Sequence, residues 1–366
     1  MSLVRPGRRG AARLDLSADV VELTRAVCDI ESVSGDEGPL ADAVEAALRG
    51  LPHLEVLRDG DAVLARTALG RPERVVLAGH LDTVPVAGNL PTRLEGGAES
   101  GVLVGRGTAD MKGGVAVQLK VAAALAQPSR DVTFVFYDNE EVEADRNGLG
   151  RLARTHADWL TGDLAVLLEP TGAGIEGGCN GTLRAEVVTR GVAAHSARWW
   201  RGVNAIHEAG RVLARLQAYQ PREVEVEGLV FREGLNAVAV SGGIAGNVIP
   251  DVCRVVVNYR FAPDKDLASA EGHVREVFEG YEVTVVDGAD GARPGLDRPA
   301  AAAFAAAIGA APSAKYGWTD VARFSALGIP AVNFGPGDPS VAHADDEHVP
   351  VAQLRACERA LLTWLG

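Results

Sequence analysis

Short apolar segments, each followed by a histidine or a carboxylate, limit most strongly how this chain can fold. Three of them run into His80, into the pair Glu140 and Glu141, and into Glu169. Helical patterns separate these segments, and strands that alternate with helices predict an α/β domain with a mixed, mostly parallel sheet flanked by helices. Ligands of such sheets bind beyond the carboxyl ends of the strands. The sequence therefore predicts that these polar side chains gather at one edge of the sheet.

A second pattern begins near residue 182, where apolar and polar residues alternate as in a strand with one solvated face. The order strand, helix, strand, strand, helix, strand over residues 182–293 predicts an inserted ferredoxin-like α+β domain. Residues 14–181 and 294–366 then form one larger domain. Residues 1–13 are basic and lack the apolar segment of a signal peptide, which predicts a flexible tail.

The composition narrows the class of protein. A net charge of −13 argues against a nucleic-acid partner, because phosphate binding needs a basic surface. There is no run of about 18 apolar residues, the length that a membrane span needs, so we expect no membrane partner. The cysteines Cys28, Cys179, Cys253 and Cys357 form no C-x-x-C pair. We therefore predict free, buried thiols and a reducing, cytoplasmic location.

A glycine-rich stretch at residues 105–114 contains a single acid, Asp110, and leads into an apolar helix. Glycine lets a backbone approach a central group closely. A carboxylate just before a helix also meets the positive end of the helix dipole. Taken alone, such an acid is more often a solvated loop residue, so its interpretation depends on the residues that accompany it.

Two histidines and three carboxylates accompany one another in this pattern: His80, Asp110, Glu141, Glu169 and His343. Nitrogen and oxygen ligands of this kind suit Zn²⁺, Co²⁺ or Mn²⁺, and imidazole favours zinc. Five ligands are one too many for a single tetrahedral zinc. They fit two cations that share a carboxylate.

Two further acids lie beside these candidates. Glu140 adjoins Glu141, and if one of the two is a ligand the other is free to act as a general base towards the attacking water. Asp82 follows His80 by two residues and can accept the second ring N–H of that histidine. In isolation, Glu140 and Glu141 would be interpreted as a charged strand end.

Five motifs resemble the M20 family of dinuclear zinc aminoacylases and peptidases: residues 79–85, 105–114, 139–141, 168–171 and 342–347. The similarity covers nearly the whole chain after the tail. It implies a zinc-peptidase-like catalytic domain and an inserted lid, residues 182–293, through which a homodimer forms. It also implies a cis peptide bond after Asp110.

The resemblance further implies two Zn²⁺ ions per subunit, with Co²⁺ or Mn²⁺ as substitutes. Asp110 would bridge them, with His80 and Glu169 on one ion and Glu141 and His343 on the other. The catalytic base would then be Glu140, with Asp82 supporting the first histidine.

In the inserted domain, the segment around His195 resembles the family segment whose histidine reaches the partner subunit's active site and stabilises an oxyanion. Without the resemblance, His195 would be interpreted as a loop histidine with no role. The residues implied to contact the substrate are Asn247, Arg260, Thr319 and Arg323. Arg260 would bind a substrate carboxylate through paired hydrogen bonds.

The implied substrate is a small N-acyl amino acid, and the branch most similar hydrolyses N-succinyl-diaminopimelate in the biosynthesis of diaminopimelate and lysine. One departure leaves the partner of the succinyl carboxylate open, because Cys179 and Asn180 stand where many members of that branch have an arginine. Acetylornithine deacetylation, hydrolysis of other N-acyl amino acids and exopeptidase activity stay open. A non-catalytic binding protein of the same fold is the alternative from another class.

Overall fold

The computed structural model describes residues 13–366, so residues 1–12 of the predicted tail lie outside it. The described chain divides into two compact units. The first contains the residues up to Glu176 together with Gly295–Pro312 and Arg323–Gly366. The second contains Gly177–Pro294 and Ser313–Ala322.

The strands, in chain order, are β1 (Glu55–Asp59), β2 (Ala62–Arg66), β3 (Arg74–His80), β4 (Arg93–Glu95), β5 (Val102–Val104), β6 (Asp131–Tyr137), β7 (Leu164–Leu167), β8 (Glu176–Gly177), β9 (Gly181–Arg190), β10 (Ala194–His195), β11 (Glu223–Val226), β12 (Leu229–Arg232), β13 (Gly234–Gly242), β14 (Val248–Ile249), β15 (Val252–Phe261), β16 (Glu282–Ala289), β17 (Ser313–Ala314), β18 (Ala331–Asn333) and β19 (His348–Pro350). The α-helices are α1 (Val20–Cys28), α2 (Gly38–Arg49), α3 (Lys112–Ala124), α4 (Gly148–Thr155), α5 (Ala205–Ala218), α6 (Leu267–Val277), α7 (Pro299–Ile308), α8 (Val321–Ala326) and α9 (Val351–Leu365).

The first unit is built on a mixed sheet in which six strands follow the order β1-β2-β6-β3-β7-β18. Strand β3 is parallel to β6 and to β7, and β7 is parallel to β18, whereas β1 and β2 join the sheet antiparallel. Every residue of β6 is buried, as expected for a parallel strand covered on both faces. The predicted α/β class with a mixed, mostly parallel sheet is confirmed.

Helix α3 is buried over most of its surface and packs against α1, α9 and β3. Its second and third residues must be small. A Cβ atom on Gly114 would lie 2.2 Å from the carbonyl oxygen of Leu168, and one on Gly113 would lie 2.4 Å from that of Thr108. These glycines let the start of α3 lie against the residue that precedes Glu169.

The second unit contains a four-stranded antiparallel sheet of order β13-β15-β9-β16, against which α5 and α6 pack. Its element order is the predicted strand, helix, strand, strand, helix, strand. Burial alternates along β15, because one face of the sheet covers an apolar core. The antiparallel hairpin β11–β12 between α5 and β13 was not predicted.

The predicted domain boundaries differ from the structure at residues 313–322 and at the ends of the insertion. The sequence placed residues 313–322 in the larger domain, whereas they belong to the second unit, which also begins earlier, at Gly177. The backbone carbonyl of Lys315 accepts a hydrogen bond from the backbone N–H of Asn180 at 3.2 Å, and the Trp318 ring N–H donates to the backbone carbonyl of Asp290 at 3.0 Å. These contacts join loop residues that are distant in sequence. A periodic pattern of apolar residues, which predicts helices and strands, does not predict such contacts.

The composition also led to expectations about the cysteines and about membrane-spanning segments. All four cysteines are buried and free, as predicted. Within residues 13–366, no helix is both long enough and apolar enough to cross a lipid bilayer.

Candidate metal centre

The ends of three neighbouring parallel strands bring polar side chains together. His80 is the last residue of β3, Glu140 and Glu141 follow β6, and Glu169 follows β7. Because β3 lies between β6 and β7, all these residues meet at one edge of the sheet. The edge is the one at which the sequence predicted a site.

Asp110 lies between two histidines. Its Oδ1 atom is 3.2 Å from Nε2 of His80, and its Oδ2 atom is 3.4 Å from Nε2 of His343. The peptide bond between Asp110 and Met111 is cis, as the sequence predicted. The carboxylate thus presents one oxygen to each histidine.

Within residues 13–366, three groups of His, Asp and Glu side chains have ligand atoms that lie at most 4.8 Å apart. The groups are His80–Asp110–Glu169, Asp110–Glu141–His343 and His80–Glu140–Glu141. Asp110 belongs to the first two, which together contain all five side chains predicted as ligands. The donor set of imidazole nitrogens and carboxylate oxygens fits divalent cations such as Zn²⁺.

Asp82 holds the Glu140 and Glu141 turn in place. Its two carboxylate oxygens accept the backbone N–H groups of Glu140 and Glu141, each at 3.0 Å, and one oxygen also accepts the Ser34 hydroxyl at 2.7 Å. The expected support of His80 by Asp82 needs one correction. Nδ1 of His80 lies 3.0 Å from the backbone carbonyl of Asp82 and 3.5 Å from its carboxylate, so the carbonyl is the nearer acceptor.

The facing acids and histidines change one another's protonation. Burial lowers the pKa of His80, but hydrogen bonds to Asp110 and Asp82 outweigh it and raise this pKa well above the ordinary value. Asp110 and Glu141 raise the pKa of His343 to about 10. Burial opposes ionisation of Asp110, yet His343 and His80 lower its pKa far below the ordinary range. A cation would compete with these protons, because metal binds the deprotonated ligands.

A buried acid that the sequence did not predict, Glu37, lies next to the turn that carries Glu140 and Glu141. Oε1 of Glu37 accepts the backbone N–H groups of Gly35 at 2.9 Å and of Asn139 at 3.1 Å. Burial raises the pKa of Glu37 above its ordinary value. Together with Asp82, this carboxyl group holds the backbone of three successive residues, 139–141. The only available signal was a Ser- and Gly-rich turn around it.

A buried ion pair was not predicted either. Nη1 of Arg106 and Oε2 of Glu347 are 2.9 Å apart. Both residues occur inside motifs that the resemblance rested on, so their place in those motifs was the signal. Neither type of side chain suggested a structural role by itself.

Four of the predicted residues lie in the second unit. His195 and Asn247 are both exposed, and they are neighbours because His195 pairs with Val248 and Ser196 donates to the Asn247 carbonyl at 2.9 Å. Arg260 is half-buried on β15, where burial lowers its pKa. Thr319 is buried, and its carbonyl oxygen lies 3.7 Å from the sulfur of Cys179.

Arg323 is the remaining predicted residue and lies in the first unit, on α8. Its Nη2 atom approaches the carbonyl oxygen of Ala144 at 3.5 Å, in the loop that follows Glu141. Its guanidinium group also lies against Gly150 at the start of α4.

Known proteins are similar to this chain in sequence and in fold. Residues 76–365 match Peptidase family M20/M25/M40. The DapE protein of Mycobacterium tuberculosis H37Rv is 56% identical over 356 residues, covering 96% of this chain and 99% of that protein. The succinyl-diaminopimelate desuccinylase of Corynebacterium glutamicum is 49% identical over 364 residues, covering 96% and 98%.

A solved structure with lower sequence identity has the same fold. The crystal structure of a tripeptidase from Staphylococcus aureus superposes with a TM-score of 0.79 at 19% identity, covering 96% of this chain and 98% of that one. The family match extends over most of the chain, and the two relatives above cover nearly all of it. The chain therefore belongs to Peptidase family M20/M25/M40.

Proposed function

We propose that this chain is a metal-dependent amidohydrolase that converts N-succinyl-L,L-2,6-diaminopimelate and water to succinate and L,L-diaminopimelate. This reaction serves diaminopimelate and lysine biosynthesis. The near-complete coverage of the Corynebacterium glutamicum desuccinylase at 49% identity supports the choice of substrate. The observation that carries the chemistry is the position of Asp110, whose two oxygens face His80 and His343.

Two divalent cations are proposed, Zn²⁺ in the first instance, with Co²⁺ or Mn²⁺ as substitutes. His80, Asp110 and Glu169 would hold one, and Asp110, Glu141 and His343 the other. Bound there, such ions polarise an amide carbonyl and lower the pKa of water. The shared Asp110 keeps the two ligand groups next to each other.

Glu140 is the proposed general base. It belongs to the group that includes His80 and Glu141, and Asp82 fixes its backbone. Glu140 takes a proton from the attacking water and later delivers it to the leaving amine. Asp82 holds the backbone of both Glu140 and Glu141, and the proposal assigns the base to the first and a ligand to the second.

The proposal assigns roles to the second unit as well. His195 stabilises the oxyanion that forms when water adds to the amide carbonyl. Arg260 binds a substrate carboxylate, and Asn247, Thr319 and Arg323 complete the substrate contacts. These roles follow the family resemblance, and the exposure of His195 and Asn247 leaves both side chains accessible.

A homodimer that forms through residues 182–293 is part of the proposal. Val238 and Val240 on the edge strand β13, and Ile206 and Leu213 on α5, are large apolar side chains exposed on the second unit. Exposed apolar residues beside an open sheet edge are typical of protein–protein contacts. The net charge of −13 opposes nucleic-acid binding, and the free cysteines suit the proposed cytoplasmic location.

A hydrolysis panel tests the substrate. The substrates are N-succinyl-diaminopimelate, N-acetylornithine, N-acetylmethionine and a dipeptide, each with the chelated protein and with added Zn²⁺. We expect zinc-dependent hydrolysis with the highest kcat/KM on the succinyl substrate. A higher value on N-acetylornithine would replace desuccinylation by deacetylation, and a chain that binds no divalent metal would be a binding protein instead.

A Glu140→Gln variant tests the base. We expect kcat to fall by about 10²–10⁴-fold, because the amide cannot accept the proton. The zinc content should stay at the wild-type value, measured by atomic absorption. Glu143→Gln is the control, since Glu143 is an exposed acid in the same loop that belongs to none of the three groups. Near-normal turnover of the Glu140 variant would rule out this role.

A further inference from the structure

A buried ion pair lies directly behind the turn that carries Asp110. Arg106 and Glu347 are almost fully buried, and their side chains meet at 2.9 Å. Burying two charges is costly unless their hydrogen-bonding groups are satisfied. Here the contacts of both side chains extend well beyond the pair.

Glu347 holds the backbone of the bridging residue. Its Oε1 atom accepts the backbone N–H groups of Ala109 and Asp110, each at 3.0 Å, while Oε2 accepts from Arg106. The carbonyl oxygen of Glu347 also accepts the Gly105 N–H at 2.8 Å. One acid therefore fixes the turn from behind while the Asp110 carboxylate faces the histidines.

Arg106 connects this turn to the two segments that carry the histidines. Its Nε atom donates to the carbonyl of Pro85 at 3.2 Å, in the loop that follows His80. Its Nη1 atom donates to the carbonyl of Ala344 at 3.1 Å, next to His343. The pair thus joins three segments that are distant in sequence.

We propose that Arg106 and Glu347 are positioning residues that keep His343 at the correct distance from Asp110. The inference rests on the proposed function, because only there do these side chains hold cations. The two ligand groups depend on the pair unequally. His80 belongs to a core strand and is 1% exposed, whereas His343 is 52% exposed on a loop. Loosening the pair therefore affects the Asp110–Glu141–His343 group most.

The test is a Co²⁺ titration of the metal-free full chain, followed by the visible absorption of the bound ion. The wild type should take up two equivalents. Glu347→Gln keeps the size of the side chain but places an N–H₂ group against a donor, either Arg106 or the backbone N–H groups of Ala109 and Asp110. We assign the weaker binding step to the Asp110–Glu141–His343 group, because His343 is the more exposed histidine. We expect this step to shift by about 10–100-fold to higher Co²⁺, the usual effect of removing a residue behind a ligand, with a smaller shift of the tighter step.

A matched control separates positioning from general destabilisation. Asp131→Asn makes the same chemical change in a buried carboxylate of the same unit, which accepts the Leu69 and Arg71 N–H groups at 2.8 and 2.9 Å. Its Co²⁺ titration should match the wild type. If Glu347→Gln does not fold by circular dichroism, Arg106→Lys is used, because one ammonium cannot replace the separate Nε and Nη1 contacts.

Each outcome decides between the two proposals. A wild type that binds two Co²⁺ and a variant that titrates identically, or one in which both steps weaken equally, would overturn the positioning role alone. A wild type that binds no Co²⁺ would overturn the proposed function and this inference with it. A selective loss of the weaker step, absent from Asp131→Asn, supports the inference.

Discussion

In the first unit, single carboxylates accept backbone N–H groups at the turns that carry the candidate ligands and at the start of β6. Asp82 holds the residues that carry Glu140 and Glu141, and Glu347 holds the turn that carries Asp110. Asp131 does the same where β6 begins. Sequence spacing could suggest that Asp82 serves His80, but it could not distinguish the backbone carbonyl from the carboxylate, because both lie two residues away.

The residue-scale prediction concerns Asp131, which accepts from Thr67, Leu69 and Arg71. Although burial opposes it, these bonds lower the pKa of Asp131 below its ordinary value of 3.8. The folded carboxyl group thus binds its proton at lower pH than the unfolded one. Its stabilisation is complete above pH 3.8 and is lost as the pH falls through the folded pKa.

Asp131→Asn should therefore lower the free energy of unfolding by about 1–3 kcal/mol at neutral pH and flatten its decline in acid. Urea denaturation between pH 3 and 7 measures both. Asp163→Asn is the control, since Asp163 is exposed and accepts a single backbone N–H, that of Arg74. An unchanged acid slope in the Asp131 variant would contradict the assignment.

At the scale of elements, the start of α3 is constrained by contact with the end of β7. Gly114 faces the carbonyl oxygen of Leu168, which immediately precedes Glu169. The glycine-rich sequence predicted close backbone approach but not the partner, because contacts between distant segments leave no local pattern. In contrast, β6 and β15 have clear local signals, because turn residues flank both strands and the apolar residues are nearly continuous in β6 and largely alternate in β15.

The hairpin β11–β12 was missed although it has a local signal. Its two-residue loop, Glu227-Gly228, has φ angles of 51° and 81°, as a tight hairpin turn requires. Glutamate and valine alternate before that loop, over residues 223–226, and three apolar residues, 229–231, follow it. The predicted ferredoxin-like order contains no hairpin between its first helix and its second strand. This segment was therefore not interpreted as a hairpin.

The element-scale prediction is that Gly114→Ala destabilises the first unit by roughly 1–3 kcal/mol, because the added Cβ would lie 2.2 Å from the Leu168 oxygen. The shift of Leu168 should also lower kcat through Glu169. Gly272→Ala is the control. Gly272 lies inside α6 with open space around it, so this change should stabilise by about 0.5–1 kcal/mol. Thermal melts and kcat measurements compare the two, and equal behaviour would contradict the prediction.

At the scale of the whole molecule, the two units are interleaved in sequence. The second unit interrupts the first twice, at Gly177–Pro294 and at Ser313–Ala322. The long insertion was predictable because its alternating strands differ from the apolar strands around it. The short one was not, because it contains only the two-residue strand β17 and the first two residues of α8, and it is held by loop contacts.

Assembly is the prediction at this scale. Val240→Lys places a charge on the exposed edge strand β13 and should convert the proposed homodimer to monomer. Sedimentation velocity measures the change. Val230→Lys is the matched control, because Val230 lies on β12 of the same unit and is 46% exposed, close to the 51% of Val240. A dimer that survives Val240→Lys but not Val230→Lys would move the interface to the hairpin.

The interleaved order has a consequence for synthesis on the ribosome. His343 follows both segments of the second unit, whereas His80, Asp110 and Glu169 precede them. Domains fold progressively as translation proceeds from the amino terminus. A chain that ends before residue 343 therefore contains His80, Asp110 and Glu169 but lacks His343. Under the proposed function, such a chain contains every side chain of the first ligand group and cannot complete the second.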